Sequence, residues 1–219
     1  EKNIGFIGTS VARMVPAADK RFEKEGPLFV VADSYHKLPY DGPARRAKEP
    51  PIDGIYPVSN FRAEVNRKLY THNLGHAAMG YLGYLKGYSY VHEPFHDEYI
   101  SGIFDGALKE TAQTLVKMYP DAIDPDEHRE IIQDVHVRFG NPLLMDSLPR
   151  VARDPMRKLG PNDRLVGSAK MCMEYGVFPE YIAIVCGAAL HFDYPDDPKA
   201  QELQTLIREK GVAETLKEV

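Results

Sequence analysis

The sequence predicts a mainly α-helical, multi-helical fold with a small β-containing lead-in at the N-terminus. Three observations predict it. Apolar residues recur three and four apart through most of the chain beyond residue 60. Several of these stretches open on Asp or Asn, one with Pro directly after it, which are the residues that start helices. Short apolar pieces broken by Gly and Pro are confined to the first 59 residues. With 219 residues, 43% of them hydrophobic, the chain can bury one substantial core. We divide it into a lead-in, 1–59, and a helical domain, 60–219.

In the lead-in, the run from Gly26 to Ser34 holds a strand at Leu28–Val31, and Ile55–Ser59 offers a second. The Pro-, Gly- and charge-rich stretch between them, Leu38 to Gly54, reads as an irregular connection. From Asn60, a candidate cap, one long helix runs to about Gly87, with Val65, Leu69, His72 and His76 at helical spacing. Its small residues, among them Gly75, Ala78 and Gly83, let another group come close, and the glycines lower helix propensity. Further helices are expected at about 97–118, 124–138, 162–174, 179–191 and 196–208, with a short one near 210–217. Asp124-Pro125-Asp126-Glu127 is a strong start, with a cap, Pro in the first turn and acids at the positive end of the helix dipole. Pro161–Arg164 does the same job less clearly.

Acids and bases are mixed, with a formal charge of −5, which argues against a nucleic-acid partner. No run of about 18 apolar residues suggests a membrane span, and the first residues lack the pattern of a signal peptide. Cys172 and Cys186 sit in apolar helical surroundings and read as buried thiols of a reducing compartment. A first residue of Glu rather than Met leaves room for a segment upstream.

Two clusters invite chemistry. Around a helix of about 100° per residue, with Lys68 at zero, His72 falls near 40°, His76 near 80° and Asn73 near 140°. An amine, an amide and an imidazole therefore share one side. A buried lysine titrates lower than usual and serves as acid or base, while amide and imidazole hold a hydroxyl or alkoxide. On spacing alone a solvated lysine with two satisfied histidines stands ahead of that reading. The second cluster, Arg150 to Arg164, holds Arg150, Arg153, Arg157, Lys158 and Arg164 against Asp154 and Asp163. Guanidinium forks suit phosphate or carboxylate, so an anionic small molecule is one reading and a basic surface patch the other.

Two further motifs carry less. His92-Glu93-Pro94-Phe95-His96 spells the zinc-hydrolase pattern, but Pro94 lies between the would-be ligands and no third ligand is evident, so no metal is expected. Gly5-Phe6-Ile7-Gly8 is an incomplete dinucleotide fingerprint with no clear helix after it.

Taken together, these residues resemble the C-terminal, substrate-binding domain of the long-chain polyol dehydrogenases. Val11–Pro16 is similar to the segment where the family chain leaves its nucleotide domain. Lys68, Asn73 and His76 reproduce the family's Lys, four residues, Asn, two residues, His. Arg138–Pro142 and Arg150–Val166 continue the likeness, the last most like the mannitol-phosphate branch. The resemblance implies metal-independent hydride transfer between NAD and a polyol or ketose carbon. It implies Lys68 as acid/base, Asn73 and His76 on the reacting oxygen, and Arg150 and Lys158 on the substrate, with Arg153, Arg157 and Arg164 nearby. Mannitol 1-phosphate and fructose 6-phosphate are the implied pair, in a cytoplasmic enzyme. The family's Rossmann domain is not in this sequence, nor is the asparagine it adds near the domain junction. No tightly bound NAD and no hydride transfer are therefore expected of this chain alone. Arg13 stands where the sugar-phosphate branch tends to carry an acid. An unphosphorylated polyol or hexuronate, and a non-enzymatic role binding a sugar phosphate or a protein, remain the alternatives.

Overall fold

The computed structural model describes residues 5–15, 24–26, 28–46, 48–49 and 51–219. Pro16, the end of the junction-like run, lies outside them.

Among the described residues the lead-in holds one small parallel sheet. β1 (Leu38–Asp41) pairs with β2 (Ile55–Val58) in the register Leu38 to Ile55 and Asp41 to Val58. This corrects two expectations. Leu28–Val31 is not a strand: Phe29 N–H closes a turn onto Gly26 O at 3.1 Å, and Leu28 is 95% exposed. The stretch expected to be irregular supplies β1 instead, because Tyr40 is fully buried there and anchors the edge. A strand needs a neighbour to pair with, and the alternation in so short a run does not reveal one.

After Asn60 the chain is helical, in the order α1 (Phe61–Lys68), a π-helical turn (Leu69–Asn73), α2 (Leu74–Leu85), α3 (His92–Phe95), α4 (Glu98–Met118) and α5 (Pro125–Phe139). A 3-10 turn (Pro142–Leu144) and two short helices, α6 (Leu148–Ala152) and α7 (Pro155–Leu159), follow. Then come α8 (Val166–Glu174), α9 (Glu180–Leu190), α10 (Pro198–Lys210) and α11 (Val212–Glu218). The starts follow local chemistry. Asn60 accepts from Ala63 N at 3.1 Å, and Asp97, Asp124 and Asp197 cap α4, α5 and α10 in the same way. The helix expected from 162 begins at Val166, because Asp163 is engaged by Arg157 and Arg164 rather than by a helix N-terminus.

The core is built around α2, which packs against α4, α6 and α9. Leu74, Ala78, Met79 and Tyr81 are fully buried. Gly75 shows why small residues are needed: a Cβ there would stand 2.8 Å from the Phe104 ring and 3.2 Å from that of Phe139. The close approach is made by aromatic rings from α4 and α5. Among the described residues, no helix is long and apolar enough to cross a membrane.

Candidate functional site

The segment expected to be one continuous helix contains a π turn at the place where the chemistry was expected. Leu74 N–H donates to Leu69 O, a five-residue step in place of four. Such insertions occur mostly as single turns and often at functional sites. Their effect here is geometric. In a five-residue step, residues five apart come into line, so Lys68 and Asn73 move to one side, with His76 a further three residues on. Lys68, His72, Asn73 and His76 all line one cavity of about 320 Å³.

The same cavity is lined by Asp146, Arg150 and Arg164 and by the lead-in segment Val11–Val15. That segment is pinned by Arg138, which is buried near the end of α5. Its guanidinium lies 2.6 Å from the Asp33 carboxylate and also donates to the Ala12 carbonyl. Met14 and Asp33 complete the clasp, with Asp33 N–H donating to Met14 O at 3.1 Å and Met14 N–H to the Asp33 carboxylate at 3.2 Å. No motif marked Asp33 or Arg138 as partners. They are 105 residues apart, and only the fold brings them together.

Burial sets the protonation states. The Lys68 amine is half-buried and its pKa is lowered, first by desolvation and then by the Arg164 charge. It has no ion pair among the described residues. His72 is pushed down to about 3 by burial, with Arg138, Lys68 and Arg164 adding to the shift. His76 is likewise held well below its ordinary value, by burial first and then by His72. Both imidazoles are therefore neutral. His76 stacks on Phe139 with ring centres 4.2 Å apart and planes 1° from parallel, which fixes its orientation. Its Nε2 has no hydrogen-bond partner among the described residues, and neither has His72 Nδ1. A buried polar atom without a partner costs stability, so these two nitrogens stand out in the interior.

The second cluster divides. Arg150 lines the cavity, paired to the buried Asp146 at 2.6 Å, and Arg164 lines it too, beside Asp163 at 2.8 Å. Arg13 joins from the lead-in, its Nε donating to Tyr35 O at 2.6 Å. Arg153, Arg157 and Lys158 are not among the lining residues. Arg153 is exposed, and Arg157 bridges Asp154 and Asp163 at 3.0 and 2.9 Å on the surface. Lys158 is buried beneath α6, donating to Val151 O at 2.5 Å and Arg153 O at 2.6 Å, and burial brings its amine down to about 7.

Neither remaining motif joins this cavity. His92 stacks over Tyr90, and the Glu93 carboxylate accepts from Ser89 N at 2.6 Å and Tyr90 N at 2.8 Å, which starts the one-turn helix α3. Cys172 is buried and accepts from the Thr114 hydroxyl at 3.3 Å; both cysteines are free thiols.

Comparison with known proteins agrees with this architecture. Residues 60–219 match the family described as mannitol dehydrogenase C-terminal domain. Over 218 residues the chain is 40% identical to mannitol-1-phosphate 5-dehydrogenase of Bacillus subtilis, covering 100% of this chain and 56% of that protein. It is 37% identical over 216 residues to the enzyme of the same name from Exiguobacterium sp., covering 99% and 55%. The chain thus spans about half the length of the curated relatives it matches. Its fold resembles mannitol 2-dehydrogenase of Pseudomonas fluorescens, solved as a ternary complex with NAD and D-mannitol, at a TM-score of 0.65 and 19% identity, over 97% of this chain and 54% of that one. It also resembles a substrate-free D-sorbitol dehydrogenase, at 0.69 and 19%, over 96% and 54%.

Proposed function

We propose a function from one premise: the chain belongs to the family of mannitol dehydrogenase C-terminal domains. In our reading it is the substrate-binding half of an NAD-dependent polyol-phosphate oxidoreductase, with mannitol 1-phosphate and fructose 6-phosphate as the pair. The observation that carries this is the convergence of Lys68, Asn73, His76 and Arg150 on one cavity.

Among the described residues no glycine-rich turn leads from a strand into a helix, and α1 begins at Phe61 under its Asn60 cap. Hydride exchange with NAD belongs, in this reading, to the part of the enzyme that carries the nucleotide. What this chain does is bind, orient and move a proton. Lys68, with its lowered pKa, takes the proton from the polyol hydroxyl in oxidation and returns one to the ketose oxygen in reduction. The Asn73 amide and the neutral, stacked His76 hold that oxygen as its charge changes. Arg150, Arg164 and Arg13 face the phosphate.

The test is NADH oxidation with fructose 6-phosphate by the full-length protein. Turnover is expected, and Lys68→Ala should lower kcat by about 10²–10⁴ with folding intact. Undiminished turnover in Lys68→Ala would sink the acid/base role. No NADH oxidation with any ketose or ketose phosphate would sink the oxidoreductase reading and leave non-enzymatic sugar-phosphate binding.

One observation supports a second reading. Arg153, Arg157 and Lys158 lie outside the cavity lining, so fewer cations face the substrate than the sequence offered. That favours an unphosphorylated polyol or hexuronate. Comparing kcat/KM for fructose 6-phosphate and fructose decides between the two.

A further inference from the structure

α5 has two working faces. Ile131, Asp134 and Arg138 look toward the clasp beside Lys68. The opposite face, with His128 and Ile132, forms a groove against Leu108, Ala112 and Val116 of α4. The groove encloses about 730 Å³, more than twice the 320 Å³ of the Lys68 cavity. That lies within the range of about 300–1,000 Å³ typical of small-ligand pockets.

Three features define its chemistry. The walls are aliphatic, so a sugar gains nothing there. His128 lines the groove at 1% exposure, yet neither ring nitrogen has a hydrogen-bond partner among the described residues. The rim is cationic. Lys109, Lys117 and Arg129 stand along it, while Asp105 is its one acid and lies 3.0 Å from His136. Lys109 has no ion pair among the described residues, Lys117 donates only to the Tyr175 carbonyl at 3.3 Å, and Arg129 reaches Asp126 across an exposed surface pair. An aliphatic wall under a cationic rim complements an amphipathic anion.

The lead-in stays clear of the groove: it is fastened by Asp33 and Ala12 to Arg138, on the other face of α5, and none of its described residues lines the groove.

We propose that the α4–α5 groove is a binding site for a small amphipathic carboxylate. Its acyl or aryl body lies against Leu108, Ala112, Val116 and Ile132, its carboxylate is drawn to the Lys109, Lys117 and Arg129 rim, and a polar atom reaches His128. The site is separate from the polyol cavity and does not depend on the reading of that cavity.

Titration calorimetry on the full-length protein tests this, with decanoate as the probe and decanol as its neutral counterpart. Decanoate is expected to bind at least tenfold more tightly than decanol. The surface variant Lys109→Glu/Lys117→Glu should remove that preference, and Ala112→Trp, which fills the groove, should abolish binding of both. Fructose 6-phosphate should not compete. Absence of decanoate binding, equal affinity for decanol, or unchanged affinity in the charge-reversed variant would each overturn the proposal. So would competition by fructose 6-phosphate, which places the probe in the other cavity. A dimer in sedimentation that Ala112→Trp dissociates would assign the groove to a second copy instead. If Ala112→Trp fails to fold, the charge-reversed variant decides alone, since both of its substitutions lie on the exposed face of α4.

Discussion

The stretch Lys68–His76 and the stretch Arg150–Arg164 are both rich in polar and charged side chains suited to chemistry, and the fold treats them differently. The first delivers four side chains to one cavity, while the second sends Arg150 and Arg164 there and turns Arg153, Arg157 and Lys158 elsewhere. The cause is local. Lys68–His76 is uninterrupted helix, where sequence spacing fixes direction, and the π turn brings residues five apart into line. Arg150–Arg164 is cut by Pro155, Gly160 and Pro161 into α6, α7 and a turn. Direction there resets at every break. The contrast is sharpest between the two lysines. Burial lowers both amines, but Lys68 lines the cavity with no ion pair among the described residues, and Lys158 is tied to two backbone carbonyls.

The largest expected effect separates these lysines by kinetics. Lys68→Ala should cost about 10²–10⁴ in kcat, and Lys158→Met less than tenfold. The pH profile adds a sign. If Lys68 is the acid/base, as proposed, oxidation of the polyol needs its neutral amine, so the rate should rise as pH climbs through the lowered pKa. Ketose reduction needs the protonated form and falls over the same window. Equal losses in the two variants, or parallel pH profiles in the two directions, would erase the distinction.

A smaller effect compares the arginines. Arg150→Ala removes a charged donor facing the cavity and should raise KM for a sugar phosphate about 10- to 100-fold, since hydrogen bonds to charged groups contribute about 1.5–3 kcal/mol. Arg157→Ala breaks only a half-exposed surface pair and should change KM less than threefold. Matching losses would mean that the second stretch acts as one unit after all.

How much of this was legible in the sequence follows the same division. The helical body was readable because Asn60, Asp97, Asp124 and Asp197 cap their helices through bonds two or three residues long. The Lys68, Asn73 and His76 grouping was readable because one continuous helix carries it, although the π turn that aligns it left no signal in side-chain periodicity. β1 was hidden, because its partner β2 lies 17 residues away and Leu28–Val31 offered a better apolar run. The Arg138–Asp33 clasp and the burial of Lys158 were also hidden. Each depends on a contact between elements, and residue type does not encode that.

The smallest effect concerns Lys158 and is thermodynamic. Its amine donates to Val151 O and Arg153 O at the end of α6, the helix that carries Arg150 into the cavity. Lys158→Met fills the same volume but leaves two carbonyls without that donor, which should cost about 1–2 kcal/mol. For a chain of this size each kcal/mol lowers Tm by roughly 2–4 °C. The variant also changes the pH dependence of stability. The folded amine titrates at about 7 and the unfolded one near 10.5, so between those values the unfolded chain binds more protons. Stability in the wild type therefore rises with pH across that window through this group, is fully gained above it, and is lost as pH falls through about 7. Thermal melts from pH 6 to 10 should show that rise in the wild type and a flatter curve in Lys158→Met. A strong rise in KM without any flattening would place the Lys158 amine on the substrate, and the two stretches would then be alike in function despite their different geometry.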